Sequence, residues 1–171
     1  IIRNHLKTLR SLNQGSNGIY WEDVLTFLII PIIISSLLVW GRIDIEKQVP
    51  SLIKAIAILG GFLLNFLAII YNSIDKMKQD AEKSFVKRIF IKEIHSNITF
   101  TILLSILIVF SLIVYDIDEF GDFQFKIYFK LLALFINYYM IILFILTLLM
   151  VINRIYILLD KNFKEGMNKT K

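Results

Sequence analysis

Apolar residues in this 171-residue chain gather into four long runs, at residues 24–40, 52–71, 96–115 and 131–152, with polar stretches between them. The first run, VLTFLIIPIIISSLLVW, is uncharged, as are the third and fourth; the second is interrupted only by Lys54, close to its start. A hydrocarbon core of about 30 Å is crossed by about 20 helical residues rising about 1.5 Å each. The runs are continuous rather than alternating, which argues for helices over barrel strands. In lipid a helix also satisfies its own backbone hydrogen bonds. The pattern predicts an all-α integral membrane protein. Four transmembrane helices form two hairpins over residues 19–171, after an interfacial amphipathic helix and turn at residues 1–18.

That first segment places Ile2, Leu6 and Leu9 at i, i+4, i+7, with Arg3, Lys7 and Arg10 on a neighbouring face. Such a basic amphipathic helix lies in the headgroup plane. Gln14-Gly15-Ser16-Asn17-Gly18 ends it, and Tyr20 and Trp21 then sit where an aromatic belt anchors the first span, with Trp40 at its far end. Pro31 removes a backbone donor inside that span, so a kink and a candidate hinge are expected there, with neighbouring helices or Ser35 and Ser36 available to the freed carbonyls. Pro50 marks the start of the second helix. The 72–95 connection contains neither Gly nor Pro and mixes charges with Ile74, Phe85, Ile89 and Ile94. It reads as a cytoplasmic helical connection, in which the second span continues and another helix returns.

Composition strengthens the membrane reading. The chain is 57% hydrophobic, 13% aromatic and 19% charged, with a mean hydropathy of +0.69, against about 45–50% apolar and about 25% charged in ordinary globular domains. Cysteine is absent and there are two histidines. Structural disulfides, thiolate metal sites and thiol nucleophiles are thereby excluded. Trp40-Gly41-Arg42 stands where a signal peptide would carry small residues, so the first run is expected to be retained.

Charge sets the expected orientation. Arg3, Lys7 and Arg10, the connection residues Lys76, Lys78, Lys83, Lys87, Arg88 and Lys92, and the tail residues Arg154, Lys161, Lys164, Lys169 and Lys171 all fall on one side. The other side collects Asp44, Glu46, Asp116, Asp118, Glu119 and Asp122. Short basic loops stay inside, so both termini are expected in the cytoplasm of a cell whose inner membrane the chain spans several times. The net charge of +5 follows from this asymmetry and from anionic headgroups, so sequence-specific nucleic-acid binding is not expected.

In the second span Ala57, Gly61, Asn65, Ala68 and Asn72 share one helical face, with Gly60 beside them. Small residues at this spacing let helices approach, and asparagine amides can bond across them; the same strip would also serve as a pore-facing or subunit-facing surface. Asn97, Thr101 and Ser105 share a face of the third span, and Asn137 and Thr147 lie in the fourth. These too are either buried bonds to neighbours or the lining of a water path. Acids, arginine and histidine are missing from the middle of every span, which disfavours proton relays and voltage sensing. Asp116-Ile-Asp118-Glu-Phe-Gly121 starts like a calcium loop but has Phe120 and Ile127 at ligand positions, so no metal is expected. His5 and His95 belong to no ligand or triad pattern. With no nucleotide, zinc or nucleophile motif, neither a cofactor nor catalysis is expected.

The order HLKTLR, IYWED, LTFLIIPIIISSLL and PSLIKAIAILGGFLLNFLAIIY resembles small four-span membrane proteins of bacterial anti-phage defence loci. It is more loosely similar to the membrane subunit of the lambda Rex exclusion system, which has an Ile-Ile-Pro run in its first span; the Kiwa membrane subunit is similar in architecture. The resemblance implies defence by membrane perturbation or sensing, as in abortive infection, with a cytosolic protein partner. Two readings follow from it. In one, a homo-oligomer forms an ion-conducting assembly that depolarises the cell. In the other, a non-conducting sensor or anchor recruits its partner through Lys83, Lys87, Arg88 and Lys92 together with the amino-terminal helix that carries Arg3, Lys7 and Arg10.

Overall fold

The computed structural model describes residues 25–79, 85–117 and 126–169. The predicted amphipathic helix with Arg3, Lys7 and Arg10, the anchor at Tyr20 and Trp21, Lys83 and the acidic run from Asp118 to Gly121 lie outside them. Among the described residues the chain is all-α. A π-helical turn, Leu25–Ile29, leads into α1, Ile30–Trp40; a 3-10 turn, Glu46–Gln48, precedes α2, Val49–Gln79; α3 spans Phe85–Asp116 and α4 spans Lys126–Lys169.

Three stretches are long and apolar enough to cross a membrane: Glu46–Asn72, Ile94–Asp116 and Tyr128–Ile157. They coincide with the second, third and fourth apolar runs. The first run forms a shorter apolar helix: its 5 π-helical and 11 α-helical residues reach at most about 24 Å. The other helices overshoot the hydrocarbon core. The 31 residues of α2 and 32 of α3 extend about 46–48 Å, and the 44 of α4 about 66 Å. Lys87 and Arg88 lie on the helical backbone of α3.

The local chemistry at Pro31 takes a specific form. Its ring would clash with the carbonyl four residues back, and the backbone widens into the π turn immediately before it, so Pro31 falls at the second position of a fresh α-helix. The serines behave differently from the expectation. Ser36 Oγ donates to the Ile32 carbonyl at 2.8 Å, a bond within its own helix turn, and Ser35 Oγ is buried with no hydrogen-bond partner. At its other end α1 closes with a Schellman pair, Arg42 N–H to Val39 O at 3.0 Å and Ile43 N–H to Leu38 O at 3.2 Å. The left-handed position of that motif is occupied by Arg42, at φ 52°, rather than by the neighbouring Gly41 at φ −69°.

Close packing runs from α2 to α3, from α3 to α4 and from α4 to α1. Helix α3 is the central element: 39% of its apolar span is buried, against 22% in α2 and 28% in α4. Its buried stripe, Ile94, Ile98, Ile102, Ile108 and Leu112, meets Val49, Ile56 and Leu63 of α2 and Leu134, Phe144 and Val151 of α4 in one core. Helix α1 contributes Pro31 and Ser35, with Leu38 and Val39 partly buried against the core. Outward-facing Ile33, Leu37, Ile58, Phe62, Ile106, Phe110, Leu149 and Ile152 remain exposed. A large apolar exterior around a thin core is the arrangement expected of helices solvated by lipid.

Candidate functional site

Among the described residues, polar groups gather at three separate places. At the end where α1 finishes and α2 begins, the 41–48 connection is tied to both central helices. Tyr115 Oη donates to Asp44 Oδ1 at 2.9 Å, Tyr138 Oη donates to the Ile43 carbonyl at 2.9 Å, and Lys130 Nζ lies 2.7 Å from Glu46 Oε2. The Lys130 ammonium also stands 5.8 Å from the centre of the Tyr115 ring, within cation–π range. The Glu46 backbone N–H closes a small turn on Asp44 Oδ1 at 3.0 Å. Partial burial would raise the Asp44 carboxyl. The bonds from Glu46 N–H and Tyr115 and the charge of Lys130 outweigh that effect and hold it below its ordinary value.

This collar was not singled out from the sequence. Asp44 and Glu46 entered only as orientation signals, and Tyr115 and Tyr138 only as apolar-run members. Lys130, a cation on the acid-rich side, is the signal that points to it.

The second place is the bundle interior. Ser35, Asn97, Thr101, Asn137 and Thr147 are fully buried, Ser105 nearly so, and Arg154 is 1% exposed. Several of these bond within their own helix rather than to a neighbour. Thr101 Oγ1 donates to Asn97 O at 2.8 Å, Ser105 Oγ to Ile102 O at 2.7 Å, Thr147 Oγ1 to Phe144 O at 2.9 Å, and Asn137 Nδ2 to Ala133 O at 2.9 Å. Arg154 corrects the sequence reading, which placed it in the tail two residues beyond the span. The helix continues through it, and its side chain is drawn inside.

The third place is the outward face of α2. Ala57, Gly61, Asn65, Ala68 and Asn72 are all exposed, whereas Gly60 is buried. A Cβ at Gly60 would sit 2.7 Å from Ser105 Oγ, so this glycine permits the α2–α3 approach; at Gly61 a Cβ would meet nothing within 4 Å. The strip read from the sequence therefore divides. Gly60 packs inside, and its partners turn away from the core by one step around the helix. The structure does not bring them together with Asn97, Thr101 or Asn137, which face inward.

Among the described residues no group of three or more His, Cys, Asp or Glu side chains is placed to hold a metal. Comparison with known protein families, with curated proteins and with solved structures finds no match. The fold and the polar sites therefore define the class alone: a multi-helix, multi-pass membrane protein with three membrane-length apolar helices.

Proposed function

We propose that this chain is a bacterial membrane effector of anti-phage defence, which oligomerises into an ion-conducting or membrane-perturbing assembly and depolarises the cell on a signal from a cytosolic partner. The observation that carries the reading is the double placement of polar groups within membrane-length helices, one set buried in the subunit and another on the lipid-facing side of α2. An exposed amide such as Asn65 is costly in lipid and is relieved by a neighbouring subunit. In this reading α1, with the residues before it, is the fourth crossing and Pro31 its hinge. The collar faces outward, and both termini face the cytoplasm. Exposed aromatics support two interfaces, Trp40 and Tyr128 at the collar end and Tyr71 and Tyr156 at the opposite end.

Flux from liposomes carrying the full chain tests the proposal. The expected result is a leak that collapses an imposed potassium gradient, increased by the partner's signal. Bilayers that stay tight in the presence of partner and signal defeat it. A second reading, a non-conducting sensor or anchor, is favoured by the helical extensions past the spans, which carry Lys87 and Arg88 away from the collar. Under it, Lys87→Glu with Arg88→Glu releases the cytosolic partner without altering flux.

A further inference from the structure

Helix α2 turns its amides away from its own subunit. At about 100° of turn per residue, Lys54, Gly61, Asn65 and Asn72 fall within about 40° of one another, on the side opposite the inward-facing Val49, Ile56, Gly60 and Leu63. From Lys54 to Asn72 the stripe covers about 27 Å of helix, nearly the whole hydrocarbon layer. Asn65 lies about 10 Å inside the Asn72 end of the Glu46–Asn72 span. The long stem of Lys54 carries its ammonium back to the interface. The short Asn65 side chain has no such reach, and among the described residues it has no hydrogen-bond partner. Lipid offers neither donor nor acceptor at that depth.

Gly61 points the same way independently. Gly60 is required by the approach of Ser105, but a Cβ at Gly61 would meet nothing within 4 Å, so within the subunit this glycine gives up helix propensity for no contact. Bare backbone beside an outward amide is what a second, closely approaching helix needs. Among the described residues α2 is also the edge of the row α2–α3–α4–α1, with its close helix packing on the α3 side. We propose that a second copy of this chain covers the stripe, α2 against α2 about a two-fold axis normal to the membrane, with each Asn65 bonded to its counterpart. Identical chains insert in one orientation, so every residue meets its counterpart at its own depth. A carboxamide carries both a donor and an acceptor and therefore satisfies its own kind. The inference rests on the oligomeric reading and names its interface. An isologous contact closes at two copies, so a larger assembly is built from such pairs through another face.

The chain contains no cysteine, so a single introduced thiol reports on its own counterpart. A disulfide joins Cα atoms about 4.4–6.8 Å apart. In the full chain reconstituted at high lipid dilution, oxidation of Gly61→Cys is expected to give several-fold more covalent dimer than oxidation of Ile106→Cys or Leu149→Cys, which sit on the outward faces of α3 and α4. A second measurement needs no thiol in the interface: energy transfer between dye-labelled copies, followed as lipid is added. Asn65→Leu is expected to raise the dissociation constant about tenfold, the worth of an interhelical amide bond, and Asn65→Gln to keep most of the association. Equal cross-linking at all three positions overturns the proposal, as does association unchanged by Asn65→Leu. A purified chain that stays monomeric in bilayers overturns it too and assigns the stripe to a different partner. Paired α2 helices in liposomes that show no flux remove the conducting function and leave the interface, whereas flux through a chain whose α2 helices do not pair removes the interface and leaves the function.

Discussion

The collar and the interior use polar side chains in opposite ways. In the collar the bonds run between elements distant in sequence, Tyr115 to Asp44, Tyr138 to Ile43 and Lys130 to Glu46, so each one fastens the 41–48 connection to a central helix. In the interior the observed bonds of Thr101, Ser105, Asn137 and Thr147 close on the residue's own helix, three or four positions away. The first group holds elements together. The second only lowers the cost of keeping oxygen in an apolar core, and helix association there rests on shape, as at Gly60 against Ser105.

The largest test of that contrast is Arg154, among the described residues the one buried group with a full charge, at 1% exposure. Losing the hydrogen bonds of a buried charged group costs about 1.5–3 kcal/mol, so Arg154→Leu is expected to lose up to about 3 kcal/mol in chemical unfolding from detergent micelles. A loss below about 0.5 kcal/mol, the usual limit for surface substitutions, would mean that the guanidinium reaches water and the interior holds no charge.

Next come the paired glycines. Gly60→Ala forces Ser105 to give way and is expected to cost about 1–2 kcal/mol by overpacking. Gly61→Ala, with open space at its Cβ, is expected to stabilise the subunit by up to about 1 kcal/mol through helix propensity. Native-state mass spectrometry sharpens the second case. If the α2 strip meets another subunit, Gly61→Ala weakens the oligomer while the isolated subunit unfolds later. Equal behaviour of the two variants would remove the distinction between an inward and an outward face.

Tyr138→Phe asks whether the collar bonds hold what they join. The ring stays packed at 7% exposure and only the bond to the Ile43 carbonyl is lost, so a cost of about 1 kcal/mol is expected. The matching interior change, Thr147→Val, deletes only a bond within one turn of α4, and a smaller loss is expected in the same unfolding assay. A larger loss for Thr147→Val than for Tyr138→Phe would reverse the assignment of roles.

The three long helices were legible because length and uninterrupted apolarity are local properties, and residues 52–71, 96–115 and 131–152 each lie within α2, α3 and α4. What stayed hidden depends on neighbours. Periodicity puts Gly61 and Asn65 on one face but cannot say whether that face meets α3 or lipid, and Gly60, one position away, took the contact. Arg154 read as tail because a charge after an apolar run marks a boundary, and only the packed helices show that α4 carries it inside. The collar joins positions 71 to 95 residues apart, a pairing no local pattern encodes. Residues 24–40 mixed both cases, since their apolarity was plain while the π turn before Pro31 answers a backbone clash that hydropathy does not register.

The smallest expected effect is the acid response of the collar. The Asp44 carboxyl is held below its ordinary value of 3.8 by Glu46 N–H, Tyr115 and Lys130 acting against desolvation. A depressed folded value means that the charged form binds its surroundings better in the folded state. The resulting stability is fully present above the unfolded value and is lost as pH falls through the folded one, so the window lies below about pH 4 and neutral pH leaves it untouched. Because Asp44 is exposed and the Lys130–Glu46 pair is 45% and 49% exposed, solvent keeps the contribution small. Thermal midpoints measured from pH 6 to pH 2 in a non-ionic detergent should show a slightly shallower acid slope for Asp44→Asn than for the unchanged chain. The interior variant Ser35→Ala should keep the original slope, since Ser35 has no ionisable group. An Asp44→Asn slope steeper than that of the unchanged chain would mean that burial, rather than the three partners, controls the carboxyl, and the collar would then be a cost to the fold instead of a clasp.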